Sequence, residues 1–359
     1  MISQTLIAVG LSGGVDSSVA ALLLKQSGAS IMGIYMKNWE EDDTQDYCSA
    51  SEDIAYALSV CDKLDIPFHT VNFAQEYWDH VFEYFLAEYQ AGHTPNPDIL
   101  CNTEIKFKAF LNHAKSLGAS HIATGHYAQL SSAPELHLLR AADPEKDQTY
   151  FLHALSHTQL QHARFPIGHL HKPQVRELAK RARLPTHQRK DSTGICFIGE
   201  RRFKDFLGRY LPAQPGSIVN DQGKILGQHQ GLMYYTLGQR KGIGIGGLSH
   251  SDESPWYVAH KDLTRNELIV VQGHDHPLLL KPSLITLPAH WISGVAPDIH
   301  FRCTAKTRYR QQDQACQVHV LEDQSLQVMF DEPQRAITPG QSLVLYQDAR
   351  CLGGARIVV

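Results

Sequence analysis

Leu6-Ile7-Ala8-Val9 runs directly into Gly10-Leu11-Ser12-Gly13-Gly14-Val15-Asp16-Ser17-Ser18, and this junction decides the fold. The first four residues read as a buried strand, while Val19, Leu22 and Leu23 continue with helical spacing. Glycines between a first strand and a first helix allow positive φ angles and close approach of a ligand. The free amides at the helix start, with the helix dipole behind them, form an anion site. Ser12, Ser17 and Ser18 add hydroxyls. A Walker loop is excluded, since no Lys sits at the helix start, and so is the dinucleotide G-x-G-x-x-G pattern.

Working outward, residues 31–35, 68–73 and 121–124 read as further buried strands. Ile54, Ala57, Leu58, Cys61 and Leu64 follow helical spacing between them, as do Phe107, Phe110, Leu111, Ala114 and Leu117. Alternating strands and helices predict an α/β domain with a doubly wound parallel sheet, expected over residues 1–211. Beyond Pro212 glycines punctuate short strands, which predicts a small central β-rich domain over 212–281. From residue 282 to 359, period-two alternation at Phe301, Cys303, Ala305, at Cys316, Val318, Val320 and at Leu326, Val328, Phe330 predicts an antiparallel β-barrel.

The 359 residues carry a formal net charge of −4, but charge is polarised. Residues 172–209 hold eleven Lys/Arg against four Asp/Glu, either a solvated face or a surface for a polyanion. The seven cysteines include no C-x-x-C pair, so neither a disulfide framework nor a cysteine-ligated metal site is expected. No run is long and apolar enough for a membrane span, and the first residues lack a signal-peptide pattern, so no membrane association and a cytoplasmic location are expected. Two cysteines stand apart. Cys101 follows His93-Thr94-Pro95-Asn96-Pro97-Asp98-Ile99-Leu100, off any apolar stripe and just ahead of a helical pattern for which Asn102 is the expected N-cap. Cys196 lies in Asp191-Ser192-Thr193-Gly194-Ile195-Cys196-Phe197, flanked by Arg189, Lys190, Arg201 and Arg202. A helix start and nearby cations both favour the reactive thiolate.

The Ser-Gly-Gly-Val-Asp-Ser string resembles the PP-loop of ATP pyrophosphatases, which implies ATP and Mg²⁺, with Asp16 as a candidate to orient metal or pyrophosphate. With it occur, in order, Asn96-Pro97-Asp98, Cys101-Asn102, Ala123-Thr124-Gly125-His126-Tyr127, Lys146-Asp147-Gln148, Gly194-Ile195-Cys196, Tyr235-Thr236-Leu237-Gly238-Gln239-Arg240-Lys241-Gly242 and Lys306-Thr307-Arg308-Tyr309-Arg310. Together these resemble the bacterial tRNA-specific 2-thiouridylases across essentially the whole chain. The resemblance implies that residues 10–17, Met36 and Gly125 bind ATP. It also implies that Asn96, Pro97 and Asp98 meet the target base, Asp98 serving in addition as an acid or base. His126, Lys146, Asp147, Gln148, Arg308, Tyr309 and Gln341 would contact tRNA, Tyr309 being equally readable as barrel core. Cys196 would carry sulfur as a persulfide and Cys101 act as its partner, ending in a Cys101–Cys196 disulfide; release of hydrogen sulfide by Cys101 stays open. Implied partners are the glutamine, lysine and glutamate tRNAs and a sulfur-relay protein or cysteine desulfurase as persulfide donor. Two rival readings are a PP-loop synthetase activating a small-molecule carbonyl, which leaves both cysteines idle, and a non-catalytic sulfur-relay or nucleotide-binding protein, which has no use for the combined motifs.

Overall fold

The computed structural model describes residues 5–40, 51–131, 135–191, 203–245 and 254–358. Its first strands, β1 (Leu6–Gly10), β2 (Ser30–Lys37), β3 (Phe68–Asn72) and β4 (His121–Ala123), join Ala163–Arg164 in a parallel sheet. The spatial order is β3-β2-β1-β4 with Ala163–Arg164 at the edge. Order therefore reverses between β1 and β4, the switch point at which such sheets open a crevice. Side chains alternate across the sheet. Ala8, Met32 and Ile34 join a core with the helical segments of residues 74–90 and 97–116. Ile7, Val9 and Ile31 join the opposite core with α1 (Val15–Gln26), α2 (Ser51–Leu64) and the helix Lys172–Arg181. Both faces are covered, as the near-continuous apolar strands require. Cys61 lies on the buried stripe of α2, where burial, then the charge of Asp62, pushes its thiol up to about 12.

The helix carrying Cys101 starts earlier than its apolar stripe suggests. Asn96 is the N-cap, accepting from the Asp98 amide at 3.2 Å, and Pro97 opens the first turn, where its missing N–H costs nothing. The helix runs through Pro97–Leu100, a π-spaced segment Cys101–Ala109, and Phe110–Ser116. Asn102 is thus no cap; its amide donates to the Phe151 carbonyl at 3.1 Å.

A four-stranded sheet follows, in the order Trp256–Asp262, Glu267–Gln272, Gly216–Asn220, Ile225–His229. Beyond it, Leu280–Ile285, Leu326–Arg335, Gln314–Val320, His300–Lys306, Ser342–Gln347 and Arg350–Arg356 pair antiparallel in that order. A bridge between Thr286 and Ile357 joins the first strand to the last and closes the barrel. Ala305, Cys316, Val318, Leu326, Val328 and Phe330 point inward, as their alternation predicts, while Phe301 and Cys303 are only half-buried.

The barrel is welded to the parallel-sheet domain. Leu138–Leu139, part of a small hairpin with Gln129–Leu130, pairs with Arg350 and Cys351 of the barrel's last strand. The buried Tyr150 hydroxyl donates to the Ser342 carbonyl at 2.8 Å, and Arg140 stacks over the Tyr346 ring at 3.6 Å. Tyr150→Phe is expected to lower unfolding stability by about 1 kcal/mol, the usual net worth of one buried hydrogen bond with little change in packing, as read by urea denaturation.

Candidate functional site at the switch point

The loop between β1 and α1 sits in the crevice that the strand order opens. Gly13 takes φ +71°, and Gly14 caps α1 without any side-chain hydrogen bond. The loop's hydroxyls fold inward. Ser17 Oγ accepts from the Ser12 amide at 3.2 Å and donates to the Gly14 carbonyl at 3.2 Å, and Ser18 Oγ donates to the same carbonyl at 2.7 Å. A helix of 12 residues whose first turn lacks a side-chain cap leaves its amide dipoles available to an anion.

From the other side of the switch point comes Gly125, one residue past Thr124. A Cβ there would lie 2.6 Å from the Ser17 nitrogen and 2.8 Å from the Asp16 carbonyl carbon. Glycine is required because two backbones touch. Met36, at the end of β2, is half-buried, its Cε 3.2 Å from where a Cβ on Gly10 would stand. Gly10, Leu11, Ser12, Gly13, Gly14, Val15, Asp16, Ser17, Met36 and Gly125 are therefore gathered at one crevice.

Asp16 is not open to a metal. Its Oδ1 accepts from the Tyr127 hydroxyl at 2.8 Å, and Lys172 Nζ approaches Oδ1 and Oδ2 at 2.7 and 2.8 Å. Burial, then the Asp16 charge, pushes the Tyr127 phenol above its ordinary value, keeping it a donor. Lys172 is nearly buried at the start of its helix, where its amide donates to Asp143 Oδ2 at 2.9 Å. Its ammonium also reaches Asp191 Oδ1 at 2.8 Å. Lys146 Nζ meets Asp191 Oδ2 at 2.9 Å, and Arg176 pairs with the same carboxylate. Arg189 donates to the Gly13 carbonyl at 2.9 Å and to Asp53 Oδ1 at 2.6 Å. Within the basic run, Lys172, Arg176 and Arg189 turn inward and neutralise carboxylates around the loop, while Lys180, Arg181, Arg183 and Lys190 are exposed. Burial alone would raise the Asp191 carboxyl, but hydrogen bonds and charge from Lys172 and Lys146 outweigh it and hold the group at about 2.

Sequence reasoning missed Tyr127, Asp191 and the inward role of Lys172. Only a Lys followed by Pro at a helix start distinguished Lys172 from its basic neighbours. Cys196, Arg201 and Arg202 lie outside the described residues. Cys101 is fully buried in the core with Ile99 and Ile105, contrary to the expectation that it stands off the apolar stripe. The helix begins at Pro97, so position 101 has already turned inward. Phe110, nine residues on, packs against Gly10; at helical rise Cys101 lies roughly 10–14 Å along the axis from Phe110.

The remaining candidates are mostly engaged within the fold. His126 is buried, its Nδ1 2.8 Å from Thr124 Oγ1, and burial, then Lys106, lowers its pKa well below the usual range. Asp147 accepts from the Ala141 amide at 3.0 Å and Thr149 Oγ1 at 2.8 Å, and Gln148 Oε1 accepts from the Tyr127 amide at 2.9 Å. Arg308 Nη2 donates to Leu237, Ala336 and Thr338 at 2.9, 2.7 and 3.1 Å, tying the central domain to the barrel. Tyr309 packs on Phe151 with ring centroids 4.4 Å apart. Gln341 Nε2 donates to the Thr94 carbonyl at 2.8 Å, just ahead of Asn96, Pro97 and Asp98. An open cavity of about 480 Å³ beside Arg308 is also lined by Arg310, Gln314 and Arg335. Among the described residues no group of three or more His, Cys, Asp or Glu could hold a metal, and no helix is long and apolar enough to cross a membrane.

A glycine-rich loop at the switch point of a parallel sheet, followed by two β-domains, defines a HUP-domain protein of three parts. Residues 5–200 match the family model described as tRNA methyl transferase HUP domain, 204–272 the tRNA methyl transferase PRC-barrel domain, and 281–357 the aminomethyltransferase beta-barrel domain. The tRNA-specific 2-thiouridylase MnmA of Francisella tularensis subsp. mediasiatica is 60% identical over 354 residues, covering 98% of this chain and 99% of the relative. Its counterpart in Serratia proteamaculans is 60% identical over 357 residues, covering 99% and 97%. The chain belongs to the tRNA-specific 2-thiouridylase family. A solved 4-thiouridine synthetase–RNA complex with bound ATP covers 58% of this chain and 50% of its own at 14% identity and a TM-score of 0.35, too loose for any inference to rest on it.

Replacing Lys172 with Met tests the carboxylate network. A carboxyl held below its ordinary 3.8 contributes stability that is present above that value and lost as pH falls through about 2. Without Lys172 the folded-state value rises and that contribution shrinks. The acid-unfolding midpoint of Lys172→Met is therefore expected at higher pH than in the wild type, as followed by circular dichroism.

Proposed function

We propose that the protein is an ATP-dependent tRNA sulfurtransferase that adenylates the wobble uridine and exchanges its 2-oxygen for sulfur. The observation that carries this reading is 60% identity, over nearly the whole of both chains, to proteins named tRNA-specific 2-thiouridylase. The crevice is consistent with it: uncapped α1 amides, Ser12, Ser17 and the close packing of Gly125 suit a triphosphate. The domain descriptions mention methyl transfer. Loop amides aimed at an anion suit pyrophosphate departure better than delivery of a methyl group.

In the proposed sequence the loop holds ATP and Gly125 and Met36 border its nucleoside. Asn96, Pro97 and Asp98 meet the uracil, whose O2 attacks the α-phosphorus as pyrophosphate leaves. The terminal sulfur of a Cys196 persulfide then attacks C2, and AMP departs. Cys101 takes the sulfur bond that remains on Cys196, giving a Cys101–Cys196 disulfide and releasing thiouridine; a thiol reductant restores both thiols. Cys196 is five residues from Asp191, a reach of at most about 18 Å along the chain. Asp16 has both oxygens occupied by Lys172, so the described residues do not fit a Mg²⁺ ion there and no step is routed through one.

His126, Lys146, Asp147, Gln148, Arg308, Tyr309 and Gln341 complete the proposed tRNA surface, some through the architecture they hold. The glutamine, lysine and glutamate tRNAs are the proposed substrates, and a relay protein or cysteine desulfurase the proposed sulfur donor, in the cytoplasm. Domain limits of 1–211, 212–281 and 282–359 are proposed with them.

The test is mass spectrometry of tRNA nucleosides after incubation with ATP and a persulfide source. Wild type is expected to form 2-thiouridine with tRNA-dependent pyrophosphate release. Cys196→Ala is expected to lower thiolation at least about 1000-fold, as loss of a covalent nucleophile does, while binding ATP normally. Undiminished thiolation by that variant refutes the assignment.

A further inference from the structure

The loop that presents Asn96, Pro97 and Asp98 is held by Lys261 of the central domain, which donates to the Gly92 carbonyl at 3.0 Å, and by the distant end of the chain. Thr94 has both peptide groups bound by barrel residues: its amide donates to the Pro339 carbonyl at 3.0 Å, and its carbonyl accepts from Gln341 Nε2 at 2.8 Å. The preceding residue, His93, places Nδ1 3.0 Å from Glu88 Oε2. Glu88 is buried in the last turn of the helix Glu83–Gln90, and its other oxygen accepts from Arg356 Nη1 at 2.6 Å. Arg356 ends the last barrel strand, and the same nitrogen donates to the Tyr84 hydroxyl. Its neighbour Ile357 donates to the Gln341 carbonyl at 2.8 Å, so both anchors belong to one corner of the barrel.

Such a charged connection, centred on the buried Glu88 with half-buried His93 and Arg356 on either side, exceeds what holding two domains together requires. The seam is already made by the Leu138–Leu139 strand and the Tyr150 hydrogen bond. The connection ends two residues before Asn96, whose side chain starts the helix that carries Asp98 and Cys101. A carboxylate with each oxygen committed to a different partner fixes direction as well as distance.

We propose that Glu88, His93 and Arg356 are positioning residues, a clamp through which the C-terminal barrel sets the place of the base-contacting loop relative to the crevice. This rests on the functional reading above. Through the clamp, misplacement is transmitted to the reacting atoms without touching the nucleotide site. A shift of about 1 Å at a reacting group costs on the order of 100-fold in rate.

The test pairs Arg356→Met with Glu88→Gln in the full chain and takes two readouts. Hydrogen exchange over residues 93–101 is expected to quicken in both variants, with exchange over 6–26 unchanged. Single-turnover thiolation is expected to slow roughly 10- to 100-fold, with the ATP dissociation constant within about twofold of wild type. Arg356→Lys, which keeps the charge, is expected to recover part of the rate. Should Arg356→Met fold poorly, Glu88→Gln and Arg356→Lys carry the comparison. Unchanged exchange at 93–101, or faster exchange with wild-type turnover, overturns the clamp. A wild-type chain that never thiolates tRNA overturns the functional reading instead, and the exchange measurement still reports whether the clamp exists.

Discussion

One nearly buried ammonium, that of Lys172, holds the crevice in its present shape. A cation with so little access to water persists only with opposite charge beside it. Lys172 has two such partners from opposite ends of the domain, Asp16 at the start of α1 and Asp191 at the end of the described chain before residue 203. Asp16 in turn receives the Tyr127 hydroxyl from the loop that follows β4 across the switch point. Loop, helix start and the root of the segment leading to Cys196 are therefore coupled through one nitrogen atom.

That coupling explains why the basic run reads ambiguously. Composition supplies charge but no direction, and cations facing water look the same as cations facing a carboxylate. Lys146, Lys172 and Arg176 all converge on Asp191, and Arg189 closes over the loop through Gly13 and Asp53. Their carboxylate partners lie as much as 156 residues away in sequence, as with Lys172 and Asp16.

Sheet and barrel were legible where burial imposes a pattern. Leu6 to Val9 announce a strand covered on both faces as a continuous apolar run, and Leu326, Val328 and Phe330 in the barrel announce their inward face by alternation. The glycine-rich loop was legible because the space between two backbones admits no side chain. The start of the Cys101 helix was not read from its apolar stripe, because Asn96 and Pro97 act through local geometry that carries no hydrophobic signal. With Asn102 taken as the cap six positions late, Cys101 falls ahead of the helix and off its apolar stripe, whereas it lies inside the helix and in the core. Barrel closure through Thr286 and Ile357, and the strand that residues 138–139 lend to it, depend on pairings over long separations that no local pattern encodes.

Arg308 and Gln341 bring these threads together. Family resemblance places both at the tRNA, yet each spends its polar atoms on the fold. Arg308 donates to three acceptors across the central domain and barrel, and Gln341 holds Thr94. Burial lowers the Arg308 pKa, with Arg335 adding to the effect, and its guanidinium donates to neutral oxygens beside an open cavity lined by Arg310, Arg335 and Glu332. In the proposed tRNA surface such a group would act in two ways: its field would attract phosphate, and its hydrogen bonds would fix the cavity wall. Phosphate attraction of this kind weakens with added salt, whereas the walls do not, so position and affinity are separable contributions of the same side chain.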